Sequence, residues 1–301
     1  MTSNRIWIIV LVMVSAALLL FGCGKKPETP AHGGTGADTV ASLADGTTIS
    51  YDVKGGGYPA LVFVHGWMCD GTYWDSQVEH FSKLVKCVTV DLAGHGKSGM
   101  REDVSIESYA ADVVSVINKL KLERVILVGH SMGGPIITEA AKQLEEVCFG
   151  LIGVDSFHNM KEDWTEEQFL EWLKAFEEDF AGATQDFVRS MFPENADSAL
   201  VAEVVADMSS GPAATGLGAF RAMKNYTLRD HVGDLKQPII TINADLWETD
   251  PEGNRELVGS SFEVIMMPGY GHFIMLEDAQ LFNKNLADAI QNLVAKSRER
   301  G

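Results

Sequence analysis

From residue 40 onward, short apolar runs alternate with longer amphipathic stretches. Ala60–Val64, Lys86–Asp91, Arg124–Gly129 and Phe149–Val154 are bounded by polar or glycine-rich segments. Runs of this length, apolar throughout, predict strands buried on both faces. Val40–Leu43 and Thr47–Val53 flank Asp45-Gly46, a hairpin signal. Trp74–Val85 is amphipathic. Ser105 reads as the N-cap of a helix to about Leu120, with Glu107 in its first turn. A further helix is expected from about Gly133 to Leu144.

The alternation then stops. Between Asp163 and about Asp230 there is no strand-like run, only helical stretches such as Thr165–Phe180, Gln185–Met191 and Ala196–Met208. Strands resume at Pro238–Asn243 and Phe262–Met267, and a long helix is expected from about Glu277 to Lys296. The pattern predicts an α/β fold with a mostly parallel sheet, helices on both faces and a helical insert at about 156–230. The folded domain is expected over 41–301. No internal repeat is evident.

The N-terminal end has a different pattern. Ile6–Phe21 is an unbroken apolar and small-residue run preceded by Arg5. It is shorter than the roughly 20 residues a membrane-crossing helix needs. A positive start, a short apolar stretch and a small residue before a cut fit a secretory signal over 1–22. Leu20-Phe21-Gly22-Cys23 resembles the lipobox of bacterial lipoproteins, although Phe21 stands where a small residue is usual. That resemblance implies lipidation of Cys23 and a cell-envelope location, on an outer membrane or cell surface. Gly24 after the cysteine would suit outer-membrane sorting. A plain signal peptide or an uncleaved anchor is the plainer reading. Residues 23–40 read as a flexible tether, reaching about 20–25 Å as a coil.

Composition adds exclusions. The chain has 301 residues, with 24 basic and 42 acidic side chains and a formal charge of −18. Such a surface argues against a nucleic-acid partner. At this length one α/β domain buries a core without disulfide or metal staples. Besides Cys23, Cys69, Cys87 and Cys148 are an odd number and read as small buried hydrophobes.

The chemistry concentrates at Gly129-His130-Ser131-Met132-Gly133. Gly-x-Ser-x-Gly between a strand and a helix presents a serine on a sharp turn. The hydroxyl needs a base. Of eight histidines, His272 in Pro268-Gly269-Tyr270-Gly271-His272 best fits, because it follows the last strand. The acid that orients it is read as Asp245, after the strand ending at Asn243, with Asp155 next. Glu248 and Asp250 share the Asp245 loop. Backbone amides of Met132 and Trp67 are the expected oxyanion donors, and the Trp67 side chain could separately line the pocket. No metal-ligand spacing is present, so no metal and no cofactor are expected.

These segments together resemble the α/β-hydrolase superfamily over about Thr39 to Lys296. The resemblance is carried by Val64-His65-Gly66-Trp67, Asp91-Leu92-Ala93-Gly94-His95-Gly96-Lys97-Ser98, the serine turn and Gly271-His272. The family often has Gly-x-x-Asp after the penultimate strand, where this chain has Asn243-Ala244-Asp245. The insert matches the family's helical cap. The implied activity is cofactor-free hydrolysis of a small-molecule carboxylic ester. C–C bond hydrolases, lactonases, amidases and cofactor-free haloperoxidases share the scaffold, and a non-catalytic binding lipoprotein is the reading of another class. The cap aromatics Trp164, Phe169, Trp172, Phe176, Phe180, Phe187 and Phe192 are expected mainly to pack the cap, and its acids to form a solvated face.

Overall fold

The apolar runs become the strands of one eight-stranded sheet, in the order β1-β2-β4-β3-β5-β6-β7-β8. A computed structural model describes residues 38–258 and 262–299. Residues 1–22 and Cys23 lie outside them. Strands β1 (Asp38–Ala41) and β2 (Thr48–Lys54) form the expected antiparallel hairpin. Asp38 and Thr39, expected in the tether, are thus part of the sheet. Next come β3 (Ala60–Val64), a 3-10 turn (Gly71–Trp74), α1 (Asp75–Phe81), β4 (Cys87–Val90), α2 (Ile106–Leu120) and β5 (Val125–His130). From β3 to β8 the pairing is parallel. Strands β3, β4 and β5 are buried at every residue, as a sheet covered on both faces requires.

Local signals explain the helix ends. Ser105 caps α2 in a reciprocal arrangement with Ser108, and Lys121 closes it in the left-handed conformation. The β1–β2 turn is fastened to α2 by Arg101, which bridges Asp45 and the buried Asp112. Helix α3 (Gly133–Gln143) follows β5, and β6 (Cys148–Val154) follows α3.

The insert contains α4 (Glu166–Glu178), α5 (Phe180–Ser190), α6 (Ser198–Ser210), α7 (Ala213–Lys224) and a single turn, α8 (Leu228–His231). The chain re-enters the sheet at β7 (Ile239–Ala244), passes through α9 (Pro251–Val258) and forms β8 (Phe262–Met267). The expected last helix is α11 (Ala279–Glu299), and a single turn, α10 (Ile274–Glu277), precedes it. Trp67 joins cap to core. Its indole stacks on Phe220 at 4.2 Å, and its Nε1 donates to the Gly216 carbonyl at 2.9 Å. Phe176, Phe180 and Phe187 meet the same indole edge-on. Cys69, Cys87 and Cys148 are buried free thiols.

Candidate active site

Neighbouring strands β5 and β6 end on two residues with unusual backbones. Ser131 follows β5 with φ +52°, and Asp155 follows β6 with φ +42°. Left-handed backbone at non-glycine residues costs energy and clusters at functional sites. The turn at Ser131 is held by hydrogen bonds from Gly134 N–H and Ser156 Oγ to its carbonyl, at 2.9 and 3.0 Å. Gly129 is demanded by this turn, since a Cβ there would stand 2.5 Å from the Gly133 carbonyl oxygen.

The structure brings His272 to Asp155. Its Nδ1 lies 2.5 Å from Asp155 Oδ2, and both side chains are buried. The second carboxylate oxygen accepts the Ala244 N–H at 2.8 Å. Asp245, the residue preferred on sequence grounds, does not meet His272. It is exposed, and its Oδ1 accepts the Gly269 N–H at 2.7 Å, tying the loops after β7 and β8 together. The physical reason is register. Val154 pairs with Ile242, so Asp155 ends its strand alongside β7 and its carboxylate reaches the Ala244 amide. Asp245 lies beyond that amide and turns to solvent. Glu248 and Asp250 do not approach the imidazole either; Asp250 caps the start of α9 through Gly253 N–H.

Burial pushes the Asp155 carboxyl up, but the two neighbouring imidazoles, His158 and His272, outweigh it and hold the group below the ordinary carboxylate range. A carboxylate only accepts, so His272 Nδ1 carries the proton and Nε2 is left with a lone pair. The loop of His272 is clamped from behind. Glu277 accepts from Gly271 N–H with both oxygens and from Phe273 N–H with one. His130 Nε2 donates to the His272 carbonyl at 3.0 Å. Burial and the adjacent His272 push His130 down to about 3, so it is neutral at ordinary pH.

The 65–67 loop after β3 lies against Ser131. A Cβ on Gly66 would come within 3.3 Å of Ser131 Cβ and 2.7 Å of His130 Nδ1. Neither the Trp67 nor the Met132 amide donates a hydrogen bond to another described residue. Two unspent amides flanking the serine are what an oxyanion site requires.

Ser131, Met132, Asp155 and His272 line one cavity of about 630 Å³ between sheet and cap. Ser131 and His272 share it without a hydrogen bond between them. The cap aromatics pack as expected, and four of them, Trp164, Phe169, Trp172 and Phe187, also form part of the cavity wall. Phe176 and Phe180 pack on Trp67, and Phe192 stacks on Phe273 at 5.1 Å. The Trp67 side chain itself is not in the cavity wall but sits under the cap. Glu162 and Asp163 are exposed, as expected of the cap's acids, and also stand at this cavity. Sequence reasoning missed His158, which lies in the wall beside Asp155; its position three residues beyond that acid was the available signal.

Fold and site together define an enzyme of the hydrolase class. The chain belongs to the alpha/beta hydrolase family, whose model matches residues 61–285. It is 25% identical over 239 residues to 3-oxoadipate enol-lactonase 1 of Acinetobacter baylyi, covering 73% of this chain and 85% of that protein. Curated relatives of higher identity are matched over only about a third of their own length. One is (E)-2-((N-methylformamido)methylene)succinate hydrolase of the same organism, 35% identical over 97 residues, or 32% of this chain and 36% of the relative. Among solved structures, a thermophilic esterase from Thermogutta terrifontis superposes with a TM-score of 0.75 at 19% identity. The superposition covers 85% of this chain and 98% of the esterase, and shows the shared fold.

Proposed function

We propose that the protein is a cofactor-free serine hydrolase acting on small carboxylic esters through Ser131, His272 and Asp155. The observation that carries this is the buried His272–Asp155 pair opening on the same cavity as the strained Ser131. With Nδ1 protonated toward Asp155, the His272 Nε2 takes the Ser131 proton as Oγ attacks the ester carbonyl. The carbonyl π electrons move to oxygen, where the Trp67 and Met132 amides receive the charge. Collapse expels the alcohol, which takes the proton from His272 and leaves an acyl-serine. Water, deprotonated by the same nitrogen, then releases the acid and restores Ser131. Among the described residues the Ser131 hydroxyl has no hydrogen-bond partner, and such contacts commonly tighten only with substrate bound.

The relatives support ester-type chemistry, because an enol-lactone is a cyclic ester. The aromatic wall of the cavity favours an apolar acyl or aryl group. A fluorophosphonate probe should label Ser131 in protein lacking residues 1–23, and Ser131→Ala should lose both labelling and hydrolysis of short-chain aryl esters. Folded protein that is neither labelled nor active overturns the reading. Lactone and amide members of a substrate panel separate ester hydrolysis from its neighbours on this fold.

We also propose that the chain is lipid-anchored at Cys23 in a cell envelope. Its support is the sequence alone: the short apolar run of Ile6–Phe21, Arg5 before it and the cysteine just after it. Incorporation of labelled palmitate, lost in Cys23→Ser, tests it; equal incorporation in both refutes it.

A further inference from the structure

Asp155 stands between two imidazoles, and the triad uses one. On the other side His158 Nε2 lies 3.4 Å from Asp155 Oδ1. The surrounding hydrogen bonds settle which nitrogen of His158 carries the proton. Ser156 N–H, which can only donate, faces Asn243 Oδ1 at 3.3 Å. The Thr241 hydroxyl, which has one proton to share between this oxygen at 2.5 Å and the Ser156 carbonyl at 2.9 Å, also lies against it. The Asn243 amide nitrogen therefore points the other way, donating toward Thr249 Oγ1 at 3.1 Å and His158 Nδ1 at 3.3 Å. Thr249 Oγ1, which accepts from Asn243, lies 2.9 Å from His158 Nδ1.

With the Asn243 amide aimed at Nδ1 and a carboxylate oxygen, which only accepts, facing Nε2, the neutral ring carries its proton on Nε2 and the Thr249 hydroxyl donates to Nδ1. Nε2 is sealed from solvent and has no hydrogen-bond partner among the described residues; the Asp155 oxygen is the polar atom it faces. Both ends of the ring thus select the same tautomer.

We propose that His158 is a positioning residue for the reaction: held in its Nε2–H form by Asn243 and Thr249, it steadies the second oxygen of Asp155 and so aims the first at His272. At 3.4 Å the contact is longer than an ordinary N–H···O bond, and closing it requires only a small shift of the ring as substrate fills the cavity both histidines line. Trp247 meets His158 at 5.8 Å and His272 at 4.9 Å, edge-on to both, and so covers the pair from one side. The inference rests on the Ser131–His272–Asp155 reading above.

A neutral donor on Asp155 draws negative charge from the oxygen that faces His272. Without it that oxygen carries more negative charge and interacts more strongly with the cationic form of His272, which the acidic limb of the rate profile reads. Other charged or titratable groups facing the pair are Glu277 from α10 and His130 from β5. On the His158 side, Glu162, Glu248 and Asp250 line the adjoining cavity. None of these is altered by the variants used.

The test has a spectroscopic and a kinetic arm. In 15N-labelled folded protein, His158 should show the Nε2–H tautomer; the Nδ1–H tautomer overturns the proposal. His158→Phe should lower kcat about tenfold with little change in KM, and move the acidic limb of the kcat/KM profile up by about half a pH unit. His158→Gln, whose amide can place an N–H near Nε2, should return the limb toward its original position. If the Phe variant does not fold, His158→Asn, too short to reach Asp155, should show the same upward shift. An unmoved limb in a folded Phe or Asn variant overturns the proposal. Activity surviving in Ser131→Ala would instead refute the hydrolase mechanism, leaving the tautomer result to stand separately.

Discussion

The amide of His272 donates to the carbonyl of Met191 across 2.8 Å. Met191 closes cap helix α5, so the proposed base hangs from the cap as well as from the loop after β8. Phe192, the next cap residue, stacks on Phe273, the next loop residue, at 5.1 Å and 22°. Cap and histidine loop therefore form one packed assembly. Phe192→Ala should cost about 3 kcal/mol of stability by leaving a cavity at a buried aromatic contact. It should also lower kcat/KM about tenfold by loosening the His272 backbone. Urea melts and aryl-ester kinetics on the same preparation measure both; full activity at reduced stability would mean the contact does not position the base.

The two acids after β6 and β7 separate cleanly by substitution. Asp155→Asn removes the acceptor that holds His272 Nδ1–H and should lower kcat by about 10³–10⁴-fold. Asp245→Asn touches only the Gly269 amide at an exposed loop and should change kcat less than about threefold. The ratio of the two losses is the measurement. Equal losses would contradict the pairing of Asp155 with His272.

Acid stability follows from the same group. The folded Asp155 carboxyl lies below its ordinary value of 3.8, because its histidine partners outweigh burial. A depressed acid contributes stability that is fully present above the unfolded value and is lost as pH falls toward the folded one. The window therefore opens below about pH 4. Urea unfolding of the wild type should weaken on passing from pH 5 toward pH 2 more steeply than that of Asp155→Asn, which lacks the titration. Parallel pH slopes for the two proteins would contradict the depressed value.

Most of the scaffold is legible along the chain because its signals are local. Strands β3 to β6 announce themselves as apolar runs, Ser105 as a cap, and Ser131 as a serine between close-packed glycines. Helix α7 escapes because Gly216 and Gly218 weaken its helical pattern; it forms where Gly216 and Phe220 meet Trp67. The acid escapes for another reason. Asp155 and Asp245 both follow strands, and what separates them is the Ala244 amide supplied across the sheet, a pairing no local pattern encodes. His158 is hidden likewise, since its tautomer depends on Asn243, 85 positions away.

The oxyanion site can be probed through a single methyl group. At Gly66 an added Cβ would stand 2.7 Å from His130 Nδ1 and 3.3 Å from Ser131 Cβ. His130 cannot easily yield, because its Nε2 holds the His272 carbonyl and its ring lies 4.6 Å from that of His272. The strain must then move the 65–67 loop, carrying the Trp67 amide away from the place where the oxyanion forms. Since that amide acts on charge developed in the transition state, the loss should fall on kcat, by about 10²–10³-fold, with KM nearly unchanged. Fluorophosphonate labelling should slow in parallel, because phosphonylation also places developing negative charge at that site. A Gly66→Ala protein with unchanged kcat would show that the 65–67 loop does not supply the donor.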